Sequence, residues 1–113
     1  MKQIENITIA ELDKMAARMF EHLVKAVVDV ERELMVVDAE LHVDQEQYLL
    51  EKGSRQEDLW GINLYPGEYG TEKFIEFDSM INIRPRQGNR SRGVDDESIR
   101  KRIISIVGNK IKP

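Results

Sequence analysis

The sequence predicts an α+β fold: an antiparallel four-stranded sheet with helices packed on one face, in the order α-β-β-α-β-β-α. Three observations carry this expectation. Apolar residues recur every three or four positions near both ends of the chain, as one buried helix face requires. Four other stretches alternate apolar and polar residues, as half-buried strands do. The alternating stretches also come in adjacent pairs with short connections, and short connections make antiparallel hairpins.

Thr8 followed by Glu11 has the spacing of a capping box, so a helix should begin there. Ile9, Leu12, Ala16, Met19, Phe20 and Leu23 form its stripe and place it at 9–22. Periodicity alone does not decide the next segment. Val24, Ala26, Val28 and Val30 alternate with Lys25, Asp29 and Glu31, yet Leu23, Ala26, Val27, Val30, Leu34 and Val37 also fit a helix. The concentration of valines favours sheet, because β-branched side chains lose rotamer freedom in a helix and pack well on a pleat. The expectation is a hairpin with strands at 24–30 and 34–38, turning through Glu31-Arg32-Glu33 without a glycine.

Asp44 is positioned to cap a short helix, QEQYLLEK, that Gly53 ends. In DLWGINLYP, Trp60, Ile62 and Leu64 alternate with Gly61, Asn63 and Tyr65 up to Pro66-Gly67, which reads as a strand. FIEFDSMINIRP repeats the pattern, with Ile75, Phe77, Ile81 and Ile83 on one face and Glu76, Asp78, Met80, Asn82 and Arg84 on the other. It should pair with its predecessor. Asp95 or Asp96 caps a final helix with Ile99, Ile103, Ile104, Val107 and Ile111 on its stripe, fraying at Gly108 and Asn109.

KAVVDVE, GSRQEDLWGINLYP and above all EFDSMINIRPRQGNRSRGV resemble a family of small prokaryotic proteins of unknown function, over nearly the whole chain. The resemblance implies one compact domain, 1–113, and brings no activity, cofactor or site residue with it.

With 41% hydrophobic and 34% charged residues, the composition suits a globular domain rather than a disordered chain. No cysteine is present, which excludes disulfides, thiolate metal sites and cysteine nucleophiles. No stretch looks like a signal peptide or a membrane span, so the expected setting is cytoplasmic, without membrane contact. Charge is unevenly placed. Residues 1–83 hold 8 Lys+Arg against 18 Asp+Glu, a balance of −10, and residues 84–113 hold 9 against 3, a balance of +6; together they make the −4 of the chain.

That basic part begins with RPRQGNRSRG, four arginines in ten positions with no acid. Guanidinium forks suit phosphate and carboxylate, and glycines let backbone N–H groups approach an anion. Arg84, Arg86, Asn89, Arg90, Ser91 and Arg92 are therefore the candidate ligand-binding residues, for a phosphorylated small molecule or a nucleic-acid backbone. Asp95, Asp96 and Glu97 follow at once and could instead pair with these arginines internally. An alternative reading is a small hydrolase or transferase in which Glu76 or Asp78 is the base and Arg84 holds an anionic substrate. On an unbroken strand Asp78 and Asn82 would stand about 13 Å apart, at roughly 3.3 Å per residue, too far to cooperate directly. A third reading is a homodimer built on sheet edges or apolar helix faces.

His42, Asp44 and Glu46 alternate loosely but do not define a metal site, and no cofactor motif is present. Glu57 and Asp58 are adjacent, so on a strand they would point to opposite faces and not act as an acid–base pair.

Overall fold

The computed structural model describes residues 1–113. Its centre is the valine-rich hairpin, β3 (Val24–Asp29) and β4 (Leu34–Val37), paired antiparallel with Val27 opposite Val36 and Asp29 opposite Leu34. The turn does without glycine because Asp29 supplies the missing order. Its Oδ1 accepts from the N–H groups of Glu31 and Arg32, both at 2.9 Å, and Glu33 takes a left-handed φ of 56°. The third strand expected from sequence, β5 (Leu59–Leu64), pairs with β3 along six residues, from Val24 opposite Leu64 to Asp29 opposite Leu59.

The sheet has five strands rather than four, in the order β1-β4-β3-β5-β6 and antiparallel throughout. β1 (Lys2–Gln3) adds an edge on β4, and β6 (Ile75–Glu76) closes the other edge on β5. Two-residue ladders carry too little pattern to be read from sequence. A separate parallel pair joins β2 (Ile7–Thr8) to β7 (Ile111–Lys112) and ties the two ends of the chain together.

Helix α1 (Ile9–Arg18) is capped by the Thr8 hydroxyl as its spacing predicts, but it stops four residues short of 22. The N–H of Glu21, itself at φ 67°, reaches back to the Ala16 carbonyl at 2.7 Å and closes the helix so that the chain can enter β3. Met19 and Phe20 are consequently exposed. Helix α3 (Glu97–Lys110) takes Asp96 as its cap and runs through Gly108 and Asn109 instead of fraying there, because β7 anchors its far end.

Helices cover both faces of the sheet, not one. Alternation along β3 shows why: Ala26 and Val28 join Leu12 and Ala16 of α1 and Ile103 and Val107 of α3 in the main core. Val27 points the other way, into a smaller cluster with Val36, Leu59 and Leu49. Leu49 belongs to α2 (His42–Glu51), which begins at an uncapped Leu41 and not at Asp44. The earlier start lets His42, Gln45, Glu46 and Leu49, at helical spacing, all bury against the sheet. Gly53, at φ 98°, ends the helix as expected.

The largest departure concerns residues 77–84. They do not continue β6; they cross the second sheet face beside α2, with Met80–Asn82 forming a 3₁₀ turn. Asn82 replaces a strand there with its side chain. Its Oδ1 accepts from the Gly61 N–H at 2.8 Å, and its Nδ2 donates to the Gly61 carbonyl at 3.0 Å and the Arg92 carbonyl at 2.9 Å. Gly61 permits this crossing, since a Cβ at that position would lie 2.5 Å from Ser79 Cβ. No helix is long and apolar enough to cross a membrane.

Candidate functional site

The arginine segment folds mostly onto the protein itself. The backbones of Arg84 and Asn89 exchange hydrogen bonds at 2.7 and 3.1 Å, closing a loop through Pro85–Gln87 and Gly88, whose φ is 89°. The Arg84 guanidinium lies 4.3 Å from the centre of the Trp60 ring and donates to the Gln56 and Leu59 carbonyls. Burial lowers its pKa from the ordinary arginine value. Asn89 is buried, with Nδ2 against the carbonyls of Asn82 and Gly93 at 2.7 and 2.8 Å and Oδ1 accepting from the Asp95 N–H at 2.8 Å.

Ser91 and the Arg90 backbone are likewise engaged. The Ser91 hydroxyl donates to Asp95 Oδ1 at 2.5 Å and the Arg90 N–H donates to Oδ2 at 3.0 Å, so the Asp95 carboxyl is held below its ordinary pKa. Asp96 accepts from the N–H groups of Ser98 and Ile99, which fills the start of α3 with the chain's own carboxylate. Arg86 and Arg90 extend into solvent with no side-chain partner, and Arg92 turns away to pair with Asp78 at 2.5 Å. The candidate residues therefore do not converge on one space.

Arg92 instead reaches a different concavity, of about 210 Å³, on the second face of the sheet. Lys25 of β3, Asn63 of β5, Leu41, His42 and Val43 at the start of α2, and Asp78 with Ser79 from the crossing segment also line it. Glu76 and Asp78, the candidate bases, are near one another through Asn63, whose Nδ2 donates to Glu76 Oε1 at 2.9 Å and to the Asp78 carbonyl at 3.3 Å. Glu76 also accepts from the Tyr65 hydroxyl at 3.0 Å. Arg84 is not part of this lining, so the structure does not bring it to either carboxylate.

Three features make the cleft chemically distinct. The N–H groups of His42 and Val43 come too early in α2 for an intrahelical acceptor, and no side chain or backbone group accepts from them. Asp44, the one acidic residue of that first turn, is exposed and does not line the cleft. His42 Nε2 lies 2.7 Å from the Ile62 carbonyl, which can only accept; the ring therefore carries its proton there and leaves Nδ1 as an acceptor. Burial pushes the His42 pKa down, and Lys25 and Arg92 add to this against the opposing pull of the Ile62 hydrogen bond and Asp78. Finally, Asn63 is only 6% exposed and its Oδ1 has no partner in the protein.

Of these residues Arg92 and Asp78 are candidates from the sequence, and Asn63 stands there only as a polar position of a strand. His42 was visible only as a loose metal ligand, and on α2 it is buried with Glu46 while Asp44 faces solvent, so the three diverge. The largest concavity, about 710 Å³ between residues 69–77 and α3, is lined by Tyr69, Phe74, Phe77, Ile104 and Val107, with Glu72 its one charged residue. It offers an anion no cation.

Fold and cleft together define a small α+β domain with a polar recess on the α2 face of its sheet. The chain belongs to the family described as Protein of unknown function (DUF5674), whose model matches residues 2–110. No curated protein and no solved structure matches it.

Proposed function

We propose that this protein is a binding module for a small anionic molecule, and that the ligand sits in the α2 cleft, with Arg92 as the one contribution of the arginine segment. The observation that carries this reading is the uncapped start of a ten-residue helix facing the same recess as Lys25, Arg92 and the buried, partly unpartnered Asn63. Free N–H groups at a helix start favour negative charge, and two cations beside them raise that preference. Asp78 orients Arg92 through Nε, leaving the terminal nitrogens of the guanidinium to the ligand.

The size of the recess supports a ligand of a few heavy atoms rather than a polymer. Nucleic acid is less well served. Arg86 and Arg90 are the segment's two guanidinium groups without a partner, and no aromatic face stands beside them to stack a base.

Titration of the ¹⁵N-labelled protein with inorganic phosphate tests the proposal. The expected result is saturable shifts of the His42 and Val43 amides, with affinity about tenfold weaker in Arg92→Ala, the loss of about one charge-assisted hydrogen bond. Shifts confined to residues 86–90, or none at millimolar phosphate, would overturn it.

A further inference from the structure

The cleft is rich in acceptors as well as donors, and that combination restricts its ligand. Lys25, the free part of the Arg92 guanidinium and the first amides of α2 attract negative oxygen. Two lone-pair groups belong to the same lining residues: His42 Nδ1 and Asp78 Oδ2. Neither has a hydrogen-bond donor within the protein. A ligand that is acceptor throughout, such as acetate or sulfate, would set its own lone pairs against these and leave them without a donor where it covers them, which is costly.

Resting on the binding function proposed above, we infer that the cleft selects an oxyanion that itself carries a hydrogen-bond donor: a hydroxyl-bearing or amino-bearing small carboxylate, or a phosphate retaining a proton. The anionic oxygens face Lys25, Arg92 and the α2 amides. The O–H or N–H of the ligand is received by His42 Nδ1. His42 is fixed in this role because its Nε2 is committed to the Ile62 carbonyl, which can only accept. The ring cannot turn to present a donor to a plain anion without giving up that bond. Sites built to hydrogen-bond a particular ligand group discriminate strongly against analogues that lack it.

The test compares matched pairs on the full chain at one pH and ionic strength: glycolate and glycine against acetate, and dihydrogen phosphate near pH 6 against sulfate. Amide shifts of His42 and Val43 report binding in the cleft. The expected result is affinity for glycolate and phosphate at least about tenfold greater than for acetate and sulfate. Preference for glycine over glycolate would identify an amino acid as the natural class, and the reverse a hydroxy acid; phosphate above both would identify a phosphorylated compound. His42→Phe should narrow the glycolate-to-acetate ratio to under about threefold. Equal affinity within each pair, with shifts still at the cleft, would overturn this selectivity while leaving the anion-binding function intact. Binding of none of the five at the cleft would overturn both.

Discussion

Two helix starts in this protein look alike in sequence and differ in what they leave open. α3 begins beside four arginines, and α2 begins in an acidic part of the chain, so charge alone points to α3 as the anion site. The structure reverses the preference. At α3 the chain's own Asp96 accepts from the first amides, and Asp95 takes the Ser91 hydroxyl and the Arg90 N–H. At α2 no side-chain cap is present, and Lys25 and Arg92, from distant segments, line the same cleft as its first residues, with the Lys25 ammonium 4.9 Å from the Phe20 ring centre. A helix start offers itself to a ligand according to whether its donors are already taken, and the local count of basic residues does not report that.

The comparison can be broken first at the level of stability. If residues 82–93 serve to organise the chain, Asn82→Ala should cost about 3 kcal/mol, since it strands both main-chain groups of the buried Gly61. Arg86→Ala, on the exposed tip of the same segment, should stay within about 0.5 kcal/mol. Urea denaturation measures both. A cost at Arg86 equal to that at Asn82 would mean the tip is structural too.

A second prediction uses acidity. Burial depresses the His42 pKa in the fold, so the unfolded chain takes up its proton first as pH falls. Stability from this source is complete above about pH 6.5 and is lost as pH falls through the folded value. Glu46 works in the opposite sense. Burial raises its pKa, against the opposing effects of Gln56 and Arg84, so its contribution is complete below about pH 4.5 and is lost as pH rises through the folded value. His42→Gln should therefore remove the stability loss on acidification just below pH 6.5, and Glu46→Gln should remove the loss on raising pH above 4.5. Melting temperature against pH is the measurement.

The smallest effect sharpens the contrast between the cleft and the large apolar concavity. Gly108 lies inside α3, where a Cβ would meet nothing within 4 Å. Gly108→Ala should stabilise the protein by about 0.5–1 kcal/mol through helix propensity and leave phosphate binding unchanged. Weakened phosphate binding in this variant would connect the two concavities.

Much of the fold was legible because it rests on repeated local pattern. The valines of 24–37 and the Trp60, Ile62, Leu64 alternation produced strands where expected, and Thr8 and Asp96 cap the helices they precede. Residues 77–84 were misread for a physical reason. Their alternation is strand-like, but the partner they need is the absence of a side chain at Gly61, together with an Asn82 amide that pairs with backbone. α2 starts three residues before the expected 45 because its buried face is polar: His42, Gln45 and Glu46 make no apolar stripe. The cleft was invisible for a related reason. Lys25, His42, Asn63, Asp78 and Arg92 come from five separate stretches, and only the folded sheet makes them neighbours.

The most direct measurement is phosphate affinity, by calorimetry, in two double variants that remove the same amount of charge. Loss of Lys25 and Arg92 to alanine should abolish measurable binding, whereas loss of Arg86 and Arg90 should change affinity by less than about twofold. The reverse pattern would place the ligand on the exposed tip of the arginine segment and contradict the account.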